Sequence, residues 1–121
     1  MGCNRVQAKD SASVFAEYNR DLVRQVMRNN AMLPGKIKTA AKNKDFYGAA
    51  FALIDMAHGM YKIKDFTPRK GYPSRWTDAI ERFIDTALMG IGACGEKDID
   101  GLNKAIAGLV ALNREGHRTF R

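Results

Sequence analysis

The fold is decided most clearly by residues 99–121, which read IDGLNKAIAGLVALNREGHRTFR. Selected side chains recur there at steps of three and four residues, the spacing that places them on one face of an α-helix. The aligned positions are Leu102, Ile106, Leu109, Asn113, His117 and Phe120. Asp98 or Asp100 is suited to cap the start. The pattern predicts an amphipathic helix over residues 99–119 with His117 facing the core or its rim.

The first of three earlier segments with the same period covers residues 11–42. Ser11 or Ser13 is its expected cap. Pro34-Gly35 falls inside the segment, and proline removes a backbone donor and clashes with the preceding turn. We therefore expect a helix with a kink or a break at that point.

Two further helices are predicted over residues 45–64 and 74–92. Asp45 caps the first of them, and Trp76 opens the apolar face of the second. Gly90, Gly92 and Gly95 are expected to fray the end of the second helix. The longest connection is the turn-rich stretch around residues 67–73.

The four segments and their mostly short connections predict an all-α protein, an antiparallel up-down-up-down four-helix bundle. Strand-like alternation is absent from the sequence, and no internal repeat of useful period is recognised. The length of 121 residues suits one domain over residues 11–121, preceded by a polar tail over residues 1–10. The apolar and charged fractions, 45% and 27%, are ordinary for a globular protein.

A formal net charge of +7 is compatible with nucleic acid, an anionic membrane surface or an acidic protein as partner. The basic residues are spread along the chain, and no RNA-binding aromatic signature accompanies them, so nucleic acid is not predicted. No apolar run approaches the roughly 20 residues that a membrane-spanning helix needs. The partners we expect are an acidic protein or a second copy of the chain.

The two cysteines, Cys3 and Cys94, match no zinc-binding spacing and are not expected to pair. Met1-Gly2-Cys3 resembles what remains after cleavage of a lipoprotein signal, although the apolar segment that should precede it is absent. A lipid anchor on Cys3 and an ordinary exposed tail are both compatible with this sequence.

His117 has two interpretations. A histidine near a helix C-terminus is favoured by the helix dipole when it is charged, and it can be an ordinary structural residue. It can also be a metal ligand. The neighbouring Gly116 costs roughly 1 kcal/mol relative to alanine inside a helix, which suggests that another group approaches the backbone closely there.

The segment NREGHRTFR at residues 113–121 resembles the end of the fourth helix in the cytochrome c-prime family, which reads Cys-x-x-Cys-His-x-x-Tyr/Phe-Arg. The matching positions are His117, Phe120 and Arg121, whereas Asn113 and Gly116 stand where the family has its cysteines. The resemblance extends to the loop and helix start at residues 68–83, with Trp76 and Phe83, and covers residues 14–121.

The sequence departs less from the b-type bundle cytochrome of the bacterial periplasm, which ends in His-x-x-Tyr-Arg without cysteines. This resemblance implies periplasmic location and non-covalent haem b, with His117 and a methionine as iron ligands. Met27 fits the expected register better than Met32. Val23 stands where that cytochrome has an arginine, so Arg20 or Arg24 would meet a haem propionate instead. The implied haem-binding residues are His117, Met27, Arg121, Phe120, Phe83 and Arg24.

The functional hypotheses are therefore three. The first is a haem protein for electron transfer or small-gas binding, with an acidic redox partner. The second is a haem-free descendant of the same fold that acts as a structural or partner-binding module. The third is copper binding through Met56, His58 and Met60, although Met56 and His58 are two residues apart and face different ways on a helix. No nucleophile or paired-carboxylate arrangement indicates an enzyme.

Overall fold

The computed structural model describes residues 19–64 and 73–120, and these residues form four helices. They are α1 (Arg20–Lys42), α2 (Phe46–Ile63), α3 (Pro73–Gly95) and α4 (Ile99–Phe120). No strand occurs within the two ranges. The predicted all-α four-helix bundle is confirmed. The tail over residues 1–10, the proposed caps Ser11 and Ser13, and Cys3 lie outside the described residues.

Each helix packs against its neighbour in sequence, and α1 also packs against α4, so the four helices close into an up-down bundle. The connections 43–45 and 96–98 are too short for anything but antiparallel neighbours. One apolar core runs through the bundle. Its most deeply buried large side chains are Ile37, Leu53, Met56, Ile63 and Leu102.

Two details of the helix ends differ from the sequence prediction. α1 continues through Pro34 as one helix, so of the two predicted alternatives, a kink or a break, the break is wrong. α3 continues to Gly95 instead of fraying at Gly90. Gly90 is buried within α3, where the side chains of Leu53 and Ala105 leave little room for a Cβ atom.

The turns between α1 and α2 and between α3 and α4 are built in the same way. In each, a lysine with positive φ (Lys44 at 55°, Lys97 at 57°) stands two residues after the last residue of the helix, and the next residue is an aspartate. That aspartate caps the following helix by accepting a hydrogen bond from the amide of a glycine three residues later, at 2.9 Å from Gly48 and 3.0 Å from Gly101. The predicted caps Asp45 and Asp98 are confirmed.

The repeated turn marks a repeated pair of helices. From residue 44 to residue 97 is a step of 53 positions, and the same step relates buried positions of α1–α2 to buried positions of α3–α4. Buried residues related in this way include Ala40 and Ala93, Ala41 and Cys94, Ala49 and Leu102, Ala52 and Ala105, and Leu53 and Ile106. What repeats is the turn chemistry and the burial pattern more than the residue identities, so the structure shows a similarity of the two helical pairs that inspection of the sequence for repeats does not reveal.

Trp76 joins α3 to the end of α2. Its side chain is 5% exposed, and its indole Nε1 donates a 2.8 Å hydrogen bond to the carbonyl oxygen of Ile63. One residue later, the Thr77 hydroxyl donates to the carbonyl oxygen of Lys64 at 3.2 Å. These two bonds satisfy carbonyls that the end of a helix leaves without intrahelical donors. The predicted burial of Trp76 is confirmed.

We expect Trp76→Ala to lower the free energy of unfolding by about 3–5 kcal/mol, because it removes a buried ring and leaves a cavity. Trp76→Phe should cost less, since most of the ring remains and mainly the hydrogen bond to Ile63 is lost. Urea denaturation followed by circular dichroism measures both values. Equal losses for the two variants would show that ring packing contributes little.

Two glycines of α3 provide a second test. A Cβ atom at Gly90 would lie 2.9 Å from Leu53 Cδ1 and 3.1 Å from Ala105 Cβ, whereas a Cβ atom at Gly92 would meet nothing within 4 Å. Gly92→Ala should therefore stabilise by about 0.5–1 kcal/mol through helix propensity. Gly90→Ala should destabilise by about 1 kcal/mol, because overpacking outweighs that gain. Thermal melts of the pair measure the difference, and a stabilised Gly90→Ala variant would contradict the tight packing of α3.

Candidate functional site

Two adjoining cavities lie along the seam between α1 and α4. The inner one has a volume of about 300 Å³ and the outer one about 400 Å³, each within the ~300–1,000 Å³ typical of small-molecule and cofactor sites. Both are lined by Met27, Met60, Phe83, Asn113 and His117. Apolar side chains form most of the remaining walls. We call the two cavities together the α1–α4 cleft.

The cleft exists because α1 and α4 are the least closely packed of the four neighbouring pairs. The 53-residue step makes this seam the counterpart of the seam between α2 and α3. There Trp76 lies against Ile63, with the hydrogen bond described above. The counterparts in the cleft are Val23 and Gly116, both of which line the outer cavity. A valine and a glycine fill less space than a tryptophan and an isoleucine, so the seam stays open.

The polar rim of the cleft also differs from its counterpart. At the α2–α3 seam, Lys64 Nζ lies 3.6 Å from Glu81 Oε2. The counterparts at the α1–α4 seam are His117 and Arg28, a pair that cannot form the same ion pair. Arg20 and Arg24 line the outer cavity as well, so its mouth is basic.

The structure brings four of the six predicted site residues to the cleft. Phe83 is buried and Met27 half-buried, and both line the two cavities. His117 is an exposed residue that also lines both cavities, so it lies at the rim and not in the core. Arg24 is exposed and lines the outer cavity. Arg121 and the side chain of Phe120 lie outside the described residues.

Other sequence predictions about this region need correction. Asn113 was aligned with the buried face of α4, yet it is exposed at the cleft. Apart from the adjacent residues and the backbone of its own helix, nothing in the described part of the chain lies within 4 Å of a Cβ atom placed on Gly116. No close approach by another helix therefore explains this glycine. Of the two candidate methionines, Met27 lines the cleft, whereas Met32 is exposed and does not. Met89 of α3 is exposed as well.

Sequence reasoning gave no role to Asn30, which is the buried polar side chain among the described residues. It lines the inner cavity, its Nδ2 lies 3.5 Å from the Met56 carbonyl oxygen, and its Oδ1 has no hydrogen-bond partner. Pro34 has no amide hydrogen, so it cannot donate the usual helical bond to the Asn30 carbonyl. The sequence places Asn30 on the apolar face of α1 and Pro34 four residues later, which indicates an unmatched backbone carbonyl but not the unmatched Oδ1.

The proposed copper residues are not brought together. Met56 and Met60 are buried in the core, whereas His58 is exposed on another side of α2. Within residues 19–64 and 73–120 no three His, Cys, Asp or Glu side chains are grouped for metal binding. Cys94 is buried and not in a disulfide, and burial raises the pKa of its thiol, so the nucleophilic thiolate is disfavoured.

The residues of the cleft are compatible with a haem group. The walls are apolar, which suits the macrocycle. The imidazole of His117 and the thioethers of Met27 and Met60, all competent ligands of haem iron, line the same two cavities, and Met27 is the methionine on α1. The guanidinium groups of Arg20 and Arg24 are at the outer cavity, where they could meet propionate carboxylates.

No family model, curated protein or solved structure matches the chain. The similarity to bundle cytochromes therefore rests on the residues quoted above. Among the described helices, none is both long enough and apolar enough to cross a membrane.

Asn30 gives a prediction about stability. Because its Oδ1 is buried without a partner, Asn30→Leu should raise the free energy of unfolding by about 1 kcal/mol, the direction expected when an unmatched polar group is replaced by an apolar one of similar size. Chemical denaturation of the apo-protein measures the change. A loss of more than about 1 kcal/mol would mean that Oδ1 is hydrogen-bonded in solution, for example to a water molecule in the inner cavity.

Proposed function

We propose that the α1–α4 cleft binds haem non-covalently, with His117 and Met27 as the axial ligands of the iron. The observation that carries the proposal is that these two side chains, on different helices, line the same pair of apolar cavities. A haem held by two protein ligands is a redox centre, which supports a role in electron transfer. Binding of a small gas would require one axial ligand, such as Met27, to leave the iron.

Affinity in such a site would come from two sources. Without thioether links, the protein must hold the group through its two axial bonds and through burial of the macrocycle against Phe83, Ile80 and Leu112. A methionine ligand raises the reduction potential of haem iron relative to a second nitrogen ligand. The chain's own contribution would thus be ligand identity, an apolar environment and a basic rim.

The charge of α1 supports an acidic redox partner. α1 contains six basic residues and one acidic residue, Asp21. Arg20, Arg24 and Arg28 follow one another at steps of four, so they lie along one side of the helix, and the first two reach the mouth of the cleft. A partner with a complementary acidic surface would be steered to this mouth.

A second candidate ligand is monovalent copper. The inner cavity is lined by three thioethers, those of Met27, Met56 and Met60, together with the imidazole of His117. Soft sulfur ligands select copper(I) among the common metals. This version of the copper hypothesis replaces His58 by His117 and uses the same cleft as haem, so the two ligands should compete.

We expect haem added to the apo-protein to give a sharp low-spin Soret band. His117→Ala should abolish specific binding, and Met27→Ala should leave a high-spin, five-coordinate complex because one axial bond remains. Met32→Ala is the matched control, since Met32 lies on the same helix but outside the cleft. Absorption titrations measure all four proteins.

A second experiment fills the α1–α4 seam with a side chain. Val23→Trp places a tryptophan at the position equivalent to Trp76, so it should block haem binding although both ligands, His117 and Met27, remain. Helicity measured by circular dichroism controls for folding. If wild type shows only weak, nonspecific haem binding that none of these changes affects, the cytochrome function is excluded, and the haem-free binding or structural module becomes the better account. Tight copper(I) binding lost in Met27→Ala and His117→Ala would instead favour the second ligand.

A further inference from the structure

A stripe of exposed side chains runs along α2 on the side away from the core. Tyr47, Phe51, Ile54 and Tyr61 are exposed by 76%, 53%, 47% and 63%. Together with the exposed His58, they follow one another at steps of four, three, four and three residues. This is the spacing of a seam that packs against another helix. We call these five residues the α2 stripe.

The stripe is about as large as the biggest apolar patch on a typical monomer, roughly 300–600 Å², and patches of that size are often functional. At 150–250 Å² per aromatic side chain, the exposed fractions of its three rings amount to about 300–500 Å². Ile54 adds to this area, and so does Ile84 of α3, which shares a surface groove with Tyr61. The stripe alone is smaller than the roughly 800 Å² that each partner contributes to a stable interface, so flanking residues must add area and a reversible association is expected.

The two tyrosines of the stripe lie symmetrically about Ile54, although Phe51 and His58 do not. Tyr47 precedes Ile54 by seven residues and Tyr61 follows it by seven. A two-fold axis through Ile54, perpendicular to the helix, therefore sets Tyr47 of one copy against Tyr61 of the other, at both ends of the contact. A two-fold interface requires such self-complementarity.

The charges on α2 favour a second copy of the chain over an acidic protein or a membrane as the partner of the stripe. α2 contains one acidic and one basic residue, Asp55 and Lys62, so two α2 helices can approach without net repulsion. An acidic protein would be drawn to α1, which carries the surplus of positive charge. A helix that lies on anionic lipid is rich in lysine and arginine along its polar face, which α2 is not.

The aromatic end of the stripe is already ordered in the single chain. The rings of Tyr47 and Phe51 contact each other edge to face, with centroids 4.7 Å apart and an interplanar angle of 87°. At the other end, Lys64 Nζ lies 5.2 Å from the centroid of the Tyr61 ring. Rings held in place before association lose less side-chain entropy when they pack.

From these observations we propose that the α2 stripe is the interface of a two-fold symmetric homodimer in which the α2 helices of two copies pack antiparallel, centred on Ile54. The proposal is independent of haem binding, since the stripe and the α1–α4 cleft share no residue.

Analytical ultracentrifugation of the full chain, from about 1 µM to 1 mM, tests the proposal. Wild type should show a reversible monomer–dimer equilibrium. Ile54→Lys should weaken it at least about tenfold, because the two-fold axis sets the new charges against each other. Met89→Lys is the matched control, because it introduces the same positive charge at an exposed apolar residue of α3 that is not in the stripe. Circular dichroism checks that both variants fold.

A cross-link tests the position of the axis. In a Cys3→Ser background, Ile54→Cys should form an intermolecular disulfide on mild oxidation, because a residue on the axis meets its own copy within the ~7 Å Cα separation that a disulfide needs. Met89→Cys should not. The proposal is overturned if wild type stays monomeric up to about 1 mM, if both lysine variants weaken the dimer equally, or if the stripe binds anionic vesicles instead of a second copy.

Discussion

The close packing of Trp76 against the end of α2 determines how the two helical pairs of the bundle meet. The indole fills the seam between α2 and α3 at that end and donates a hydrogen bond to the Ile63 carbonyl, so the start of α3 is held against the end of α2. The two short turns, each capped by an aspartate, then attach α1 to α2 and α4 to α3. Closing one seam in this way leaves the opposite seam, between α1 and α4, to be set by smaller residues.

The relation between the two seams gives a physical reason for a cleft at this place. The bundle behaves as two similar helical pairs, and the step of 53 residues relates Trp76 to Val23 and Ile63 to Gly116. Trp76 and Ile63 fill the space between α2 and α3. Val23 and Gly116, at the equivalent positions between α1 and α4, leave cavities of about 300 and 400 Å³. The open cleft lowers the stability of the fold, because the side chains that line it lack contacts on one side. A cofactor in the cleft would supply those contacts. It would also stabilise the folded state, because it binds the folded chain and not the unfolded one.

Much of the fold could be predicted from the sequence, because its determinants are local. Periodic apolar residues, Asp45 and Asp98 as caps, and buried Trp76 all follow from patterns within a few residues. The continuity of α1 through Pro34 could not be predicted, since tertiary packing of the flanking turns outweighs the lost hydrogen bond there. The same holds for α3, where packing of Gly90 against Leu53 outweighs a low intrinsic helix propensity.

The candidate site was less predictable than the fold. Helical periodicity predicted that His117 faces the core or its rim, and the resemblance to the b-type bundle cytochrome implied Met27; both residues line the cleft. Periodicity alone could not separate the rim from the core, so Asn113 was assigned to the wrong environment. The unmatched Oδ1 of Asn30 and the exposed stripe of α2 depend on what neighbouring helices leave uncovered, which only the packed structure reveals.

The seam between α1 and α4 is open and lined mostly by apolar side chains, whereas its counterpart between α2 and α3 is closed. Xenon pressure on a crystal of the apo-protein distinguishes the two seams, because xenon binds in apolar cavities. We expect xenon beside Met27 and Phe83 in the cleft, whose outer cavity Trp76 also lines, and none between the Trp76 indole and Ile63. Side chains filling the α1–α4 seam, with no xenon there, would show that the cleft is closed.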